Sequence, residues 1–502
     1  MTNTSSEKYN NLIFRFLRQS SHYFSGYALS MICGLISFPI LTRVFSRSGY
    51  GTLSLISTTL WILLAVAKLG MQESAVRFYN EFKVGQRKDD FTVYYSTLYF
   101  GSLGSTLVIL LLAYSLTKLF IMDLISNEMQ HLIWFVMLML ISSSMFARLT
   151  NFLRAEQQTK LLNGLIVVDR YLGLGLALVF LMIFGKTLKS YYAGVIVAEM
   201  LIVILLTLYY VHHKRLTLRG FSFSFLKEAV LFGIPFVGLE LSDYLIKSTD
   251  RYLIQIYLGL ESVGLYAAVS NLCIYIKDGI LFPMVYAITP IYMELWARQG
   301  AKATREFLSK VFNYLLMIMI PIVFGFSILG KQVIVLMASK EFEASAGVIP
   351  FLIPGTLLWG ISPIFAAGFY IQKETKKLTL IVFLGVCLNI ILNMLLLPHL
   401  GLRGSALANL ITYFILLCLL NLYSLKDLRP AVNITRVLKS FSASVIMTLC
   451  LQWFNFPVSF FYLFINILSG ATIYAGLMLL IDKDIRNSLS RHLTNGYLVN
   501  AK

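Results

Sequence analysis

The sequence predicts an all-α polytopic membrane protein with about 14 transmembrane helices, arranged as two six-helix lobes plus two C-terminal helices. Three observations carry this prediction. Of the 502 residues, 58% are hydrophobic and only 13% are charged, which does not describe the surface of a soluble protein. Apolar windows long enough to cross a bilayer recur along the whole chain, and the order of these windows is repeated once.

Each apolar window is long enough to cross a bilayer, because about 20 residues at about 1.5 Å per residue span a hydrocarbon core of about 30 Å. Helices are expected because lipid offers no partner to exposed backbone groups and the alternation typical of barrel strands is missing. The predicted spans are 20–42, 50–72, 92–117, 130–150, 161–185, 190–211, 224–246, 262–286, 311–335, 345–371, 378–398, 402–424, 437–455 and 457–481.

The internal repeat relates the first six spans to the next six. An even number of spans in each half indicates parallel halves, related by an axis along the membrane normal, and such repeats often enclose a binding site. The paired segments are Leu41–Leu55 with Tyr257–Ala268, Phe152–Lys160 with Phe369–Lys377, and Leu205–Tyr209 with Leu419–Tyr423.

The repeat therefore predicts four regions. Residues 1–19 form a cytoplasmic interfacial segment, because Phe14, Phe16 and Leu17 alternate with two arginines. The N-lobe, 20–215, holds spans 1–6, and the C-lobe, 216–425, holds spans 7–12. Spans 13 and 14 and a cytoplasmic tail follow in 426–502.

The formal charge of +18 reports orientation in the membrane. Most of the basic residues fall in alternate loops, which is the positive-inside pattern and places both termini in the cytoplasm. Anionic membrane lipids are therefore the expected partners of these charges, and nucleic acid is not. The five cysteines all fall inside spans without ligand-like spacing, so no metal site is predicted.

Charged residues accumulate in the seventh span. Glu240, Asp243, Lys247 and Asp250 are spaced three or four apart, which places them on one helical face, with Arg251 one step around. Such a face should line water or another charged helix. The alternative is an internal ladder of ion pairs that only fixes packing, and Asp250 with Arg251 is a candidate ion pair at the exit from the lobe.

Other charges within spans are further candidates for the wall of a substrate cavity. Lys277 and Asp278 lie deep in the eighth span, and Lys68 lies near the end of the second. Lysine in such a wall supplies a positive field for an anionic group, although Lys277 could instead pair with a carboxylate such as Asp243. Asp169 and Arg170 in the fifth span point about 100° apart, so both cannot face lipid at low cost.

Two prolines in the long eighth-span region, Pro283 and Pro290, are hinge candidates because each removes a backbone donor; fixed kinks are the alternative. The sequence has no phosphate-binding glycine loop, nucleophile elbow or metal-binding helix motif. No loop is long enough for a catalytic domain. The chain is therefore predicted not to be an enzyme and to need no cofactor.

Several segments resemble the Wzx-type flippases of the polysaccharide transport family, in the multidrug/oligosaccharidyl-lipid/polysaccharide exporter superfamily. The similarity extends over nearly the whole chain. The segments are Pro39–Ser54 (PILTRVFSRSGYGTLS), Leu69–Tyr79 (LGMQESAVRFY), Gly233–Pro235 with Thr249–Ile254 (TDRYLI) and Gly264–Ala267 (GLYA), and Leu388–Pro398 (LNIILNMLLLP) with Gly401–Ala408 (GLRGSALA).

This resemblance implies a flippase that moves undecaprenyl-diphosphate-linked oligosaccharide repeat units, as for O-antigen or capsule, across the bacterial inner membrane by alternating access. It implies lipid-linked oligosaccharide as substrate, polysaccharide polymerase and chain-length machinery as partners, and function as a monomer. If transport is coupled to protons, Glu240 or Asp243 is expected to set its pH dependence.

Two other functions compete with this one. A cation-coupled multidrug exporter of the same superfamily typically carries an acidic residue in the first span, and Ser20–Leu41 contains none. A membrane polysaccharide polymerase or ligase needs a long outer loop with reactive groups, which this chain lacks.

Overall fold

The computed structural model describes residues 26–483 and residue 486, with gaps at 88, 121–126 and 454–456. Thirteen helices in this part of the chain are long and apolar enough to cross a membrane, so the predicted all-α membrane fold is confirmed. The predicted interfacial segment 1–19 and most of the predicted tail lie outside the described residues.

Fifteen α-helices make up the described fold. They are α1 (Gly26–Val44), α2 (Arg47–Ala67), α3 (Met71–Lys83), α4 (Phe91–Phe120), α5 (Asn127–Ala155), α6 (Thr159–Phe184), α7 (Leu188–His212), α8 (Phe223–Leu258), α9 (Leu260–Met337), α10 (Ile349–Gly360), α11 (Ser362–Ile371), α12 (Thr375–Leu400), α13 (Leu402–Tyr423), α14 (Ile434–Trp453) and α15 (Phe460–Ile481).

Hydroxyl side chains mark where several helices begin. The Ser46 hydroxyl accepts a hydrogen bond from the Gly49 amide at 3.2 Å, at the start of α2. Thr187 does the same for α7, accepting from the Ser190 amide at 3.2 Å. These bonds satisfy amide groups of the first turn that have no partner within the helix.

The chain divides into two compact units, Met1–Thr249 and Asp250–Lys502. In the first unit, α5 packs against α4 and α7, and α6 packs along α7. Its core at one end is unusually aromatic, and edge-to-face contacts between the rings add to the hydrophobic gain of burial. The buried rings are Phe78, Phe82, Tyr94, Tyr95, Phe152, Tyr210 and Phe225.

In the second unit, α9 packs against α10 and α14, and α13 packs against α10 and α12. Small residues bring these helices together. A Cβ atom at Gly404 of α13 would overlap the Leu396 carbonyl of α12. Close approach of this kind is how membrane helices gain packing energy, because lipid itself supplies little drive for helix association.

Helix α9, Leu260–Met337, contains the predicted spans 262–286 and 311–335, and a kink between them divides it into two helical stretches. Its non-helical backbone is at Gly300, where φ is 76° and ψ is −167°. Glycine adopts this positive φ without the steric penalty of a side chain. The helix runs without a break through Pro283 and Pro290, the two hinge candidates.

Candidate functional site

The break between α2 and α3 positions the candidate site in the first unit. Leu69 and Gly70 take positive φ values of 46° and 65°, which ends α2, and α3 begins at Met71. A Cβ atom at Gly70 would overlap the carbonyl group of Gly233 in α8. Because both residues are glycines, the backbone at Gly70 packs directly against the backbone of α8 at Gly233. The side chain of Lys68 therefore reaches Glu240, two turns further along α8.

Lys68 and Glu240 form a buried ion pair at this contact. The Lys68 ammonium lies 2.5 Å from Glu240 Oε1, and the two side chains are only 10% and 16% exposed. The Gln72 amide donates to Glu240 Oε2 at 3.0 Å. Trp61 of α2 stacks on Tyr244 of α8, with ring centroids 5.7 Å apart. The structure thus joins two of the predicted cavity charges, from segments 172 residues apart in the sequence.

Further along the same face of α8, Asp243 and Lys247 pair with each other. Lys247 Nζ lies 2.6 Å from Asp243 Oδ2, and the side chains are 40% and 39% exposed. This is a local pair between successive turns. The charged face of α8 therefore contains both a buried pair with α2 and a more accessible pair of its own.

Asp250, which begins the second unit, lies in a polar network rather than at an exposed helix end. It is 3% exposed and accepts a hydrogen bond from the Asn409 amide at 2.9 Å. Asn409 also donates to the Tyr266 hydroxyl at 2.7 Å, and Asn389 donates to Asn409 at 2.7 Å. The candidate partner Arg251 donates its backbone amide to Asp250 at 2.8 Å, and its side chain attracts the carboxylate.

Lys277 and Asp278 in α9 pair with each other. Lys277 Nζ lies 2.9 Å from Asp278 Oδ1, with the side chains 15% and 22% exposed. A Cβ atom at Gly360 of α10 would meet the Lys277 stem at 2.9 Å, so the aliphatic part of this lysine is packed against a glycine. The charged end is thereby held by a neighbour on its own helix.

Asp169 and Arg170 lie on α6 of the first unit, half-buried and exposed respectively. The Cys33 thiol of α1 donates to the Arg170 carbonyl at 3.4 Å. Both side chains interact electrostatically with Glu199 of α7. Their predicted role in a substrate cavity remains a prediction, as it does for Lys68, Glu240, Asp243, Lys247, Lys277 and Asp278.

Two buried charges in the first unit escaped the sequence prediction. Arg148 is 2% exposed and donates to the Ser102 hydroxyl at 2.6 Å and to the Met71 carbonyl at 3.1 Å. Glu199 is 7% exposed and accepts from Ser142 and Ser143. Each interrupts an apolar span, so the signal was present in the sequence. Within the described residues, no cluster of histidine, cysteine and acidic side chains could hold a metal ion.

Two family models and one curated protein match parts of the chain. The family model "Polysaccharide biosynthesis protein" matches residues 16–296, and the model "Lipid II flippase MurJ" matches residues 283–469. An uncharacterised membrane protein of Methanocaldococcus jannaschii is 26% identical over 186 residues, which are 36% of this chain. The match spans only 35% of the length of that curated relative.

Solved structures share the fold. Lipid II flippase MurJ in an inward closed conformation aligns over 93% of this chain and 99% of its own, with a TM-score of 0.71 and 17% identity. An inward-facing multidrug resistance MATE family transporter of the MOP superfamily aligns over 85% of this chain and all of its own, with a TM-score of 0.59 and 14% identity.

The first family model covers more than half of the chain, and both solved structures have the arrangement of helices described above. The predicted resemblance to polysaccharide transporters is therefore confirmed. The chain belongs to the polysaccharide biosynthesis protein family.

Proposed function

We propose that the protein is a flippase that moves an undecaprenyl-diphosphate-linked oligosaccharide, such as an O-antigen or capsule repeat unit, across the bacterial inner membrane. The observation that carries this proposal is the buried pair of Lys68 and Glu240 inside the membrane-spanning part of a chain of the polysaccharide family. Sugar and diphosphate need a polar route through the membrane, whereas the polyprenyl tail remains in lipid.

The ion pair suggests how an anionic substrate acts on the protein. Lys68 is neutralised here by Glu240, with Gln72 as a second donor to the carboxylate. A diphosphate that approaches Lys68 competes with Glu240 for the same ammonium group, because phosphate oxygens accept charge-assisted hydrogen bonds well. A ligand that binds one arrangement of the pair more tightly than the other shifts the equilibrium between two conformations, as alternating access requires.

We further propose that both termini are cytoplasmic, that the chain works as a monomer without enzymatic activity, and that a polysaccharide polymerase with chain-length machinery uses its product. The matched families are those of polysaccharide biosynthesis and lipid II flipping. A multidrug exporter remains the second candidate, because a MATE family transporter has a similar fold. Against it, α1 (Gly26–Val44) contains no acidic residue.

The test is deletion of the gene in its host, with measurement of surface polysaccharide and of lipid-linked intermediates in the inner leaflet. We expect surface glycan to fall and intermediates to accumulate, and wild-type protein to restore both. Normal glycan after deletion, in a host without a second transporter, would refute the proposal. Sensitivity of the deleted strain to cationic drugs with normal glycan would instead favour the exporter.

Variants then test the site. The Lys68→Met/Glu240→Gln double variant removes both charges of the buried pair without leaving one of them alone. We expect it to reach wild-type protein levels in the membrane and to fail in restoring glycan. Lys377→Met, which removes an exposed partner of Glu374, is the matched control and should restore glycan fully. Full activity of the double variant would show that the pair serves packing only.

A further inference from the structure

Glu199 is a buried carboxylate of the first unit, and its surroundings differ from those of the carboxylates that were predicted to line a substrate cavity. Glu240 and Asp243 each lie within 3 Å of a lysine ammonium group. Glu199, in contrast, is held by hydroxyl groups of α5: Ser143 Oγ lies 2.9 and 3.0 Å from its two carboxylate oxygens, and Ser142 donates to Oε2. Among the described residues, no lysine, arginine or histidine lies within ion-pairing distance of Glu199.

This arrangement leaves Glu199 without a cation at ion-pairing distance among the described residues. An ionised carboxylate that is 7% exposed inside a membrane-spanning helix loses most of its hydration, and hydroxyl donors replace only part of it. Serine hydroxyls suit both forms of the carboxyl group, because each can donate to a carboxylate or accept from a carboxylic acid. The site can therefore gain and lose a proton without a change of hydrogen-bonding partners.

The surroundings contain few other charges. On α6, Asp169 and Arg170 interact with Glu199 at longer range, one repelling and one attracting its charge. On α5, the buried charged group among the described residues is Arg148, and its described hydrogen bonds go to Ser102 and Met71. On α7 itself, Tyr192 is the nearest buried tyrosine along the chain, and its hydroxyl donates to the Leu53 carbonyl at 3.4 Å.

Hydrogen bonds connect the neighbourhood of Glu199 to the break between α2 and α3. Ser144, next to the two serines that hold Glu199, bonds to Thr106 of α4 at 2.7 Å. Thr106 donates to the Ser102 carbonyl at 2.7 Å, and the Ser102 hydroxyl accepts from Arg148. Arg148 donates in turn to Met71, the first residue of α3. These contacts connect α5, which holds Glu199, to the first residue of α3, three residues after Lys68.

We propose that Glu199 binds a proton, and that its protonation and release couple proton movement to the transport cycle; this role in coupling rests on the proposed flippase function. A proton fits the site better than a metal cation does. The described contacts supply two hydroxyl oxygens and the carboxylate, whereas hard cations such as Mg²⁺ or Ca²⁺ take about six or more oxygen ligands. The coupling group expected from sequence, Glu240 or Asp243, is instead already paired with lysine.

Infrared difference spectroscopy of the full-length protein in lipid membranes tests proton binding directly, without any transport assay. On acidification from neutral to mildly acidic pH, wild type should gain a carboxylic C=O stretching band that Glu199→Gln lacks. Ser142→Ala/Ser143→Ala should shift this band, because its hydrogen-bond donors are gone. Glu374→Gln, an exposed carboxylate control, should leave it unchanged. Size-exclusion profiles confirm that each variant is folded.

Three results would overturn the proposal: no acid-dependent band in wild type, the same band in Glu199→Gln, or a band that follows sodium concentration at constant pH. A second measurement addresses coupling, using proteoliposomes with a fluorescent polyprenyl-diphosphate oligosaccharide and an imposed pH gradient. We expect the gradient to accelerate flipping by wild type and to lose this effect in Glu199→Gln. Absence of flipping by wild type would refute the flippase function and leave the spectroscopic result standing.

Discussion

Removing Lys68 while keeping Glu240 should destabilise the first unit strongly. At 2.5 Å and an effective dielectric constant of about 20, two unit charges attract each other by roughly 7 kcal/mol, most of which offsets the cost of their desolvation. In Lys68→Met the carboxylate stays in place with Gln72 as its remaining described donor. Leaving one charge of a buried pair alone typically costs about 3–5 kcal/mol, and we expect this loss.

The assay is unfolding of purified protein in micelles by titration with dodecyl sulfate, applied to a double-mutant cycle. Lys68→Met/Glu240→Gln should lie within about 1–2 kcal/mol of wild type, because the neutral pair no longer carries a buried charge. Lys68→Met should therefore be about 1–4 kcal/mol less stable than the double variant. The single variant Glu240→Gln, which leaves the Lys68 ammonium without its partner, completes the cycle. Lys377→Met, from an exposed pair with side chains 64% and 31% exposed, is the control and should change stability by at most about 0.5 kcal/mol.

Two outcomes would refute this reasoning. If Lys68→Met and the double variant lose equal stability, the two charges are not coupled and the cost comes from lost packing of the lysine stem. If Lys68→Met is as stable as wild type, water reaches Glu240 and the pair is not buried in solution.

Two further substitutions test how glycine and asparagine support the sites. Gly70→Ala places a methyl group against the Gly233 carbonyl at a positive φ, so we expect a loss of about 2–4 kcal/mol in the same unfolding assay. Gly85→Ala is the control, because Gly85 has a φ of 72° but a Cβ atom there would have no neighbour within 4 Å. It should lower the free energy of unfolding by only about 1 kcal/mol, from backbone strain alone. An equal loss in Gly70→Ala and Gly85→Ala would contradict the close contact between Gly70 and Gly233. Asn409→Leu removes a donor from buried Asp250 and should cost about 1–3 kcal/mol. Asn421→Leu is the control, since the Asn421 carbonyl oxygen has no hydrogen bond among the described residues. If Asn421→Leu lowers stability more than Asn409→Leu does, the hydrogen bonds of Asn409 do not stabilise the second unit.

Much of the fold follows from the sequence because membrane insertion is governed by local composition. Windows of about 20 apolar residues identified the spans, including the two on either side of the kink at Gly300 in α9. Helix periodicity also placed Glu240 and Asp243 on one face of α8, because residues three or four apart share a face in any regular helix.

Composition, apolar windows and short motifs were enough to predict the membrane class, the number of spans within about one, the internal repeat and the resemblance to polysaccharide transporters. The sequence also pointed to Lys68 and Glu240 as charges in spans, but not to each other. Their contact, which the close approach of Gly70 and Gly233 permits, is visible only in three dimensions. The same is true of the two serines that hydrogen-bond to Glu199 and of the lysine that pairs with Glu240. Helix period and hydropathy depend on neighbours along the chain, whereas ion pairs depend on which helix faces meet. Which helix faces meet depends on close packing between segments that are far apart in the sequence.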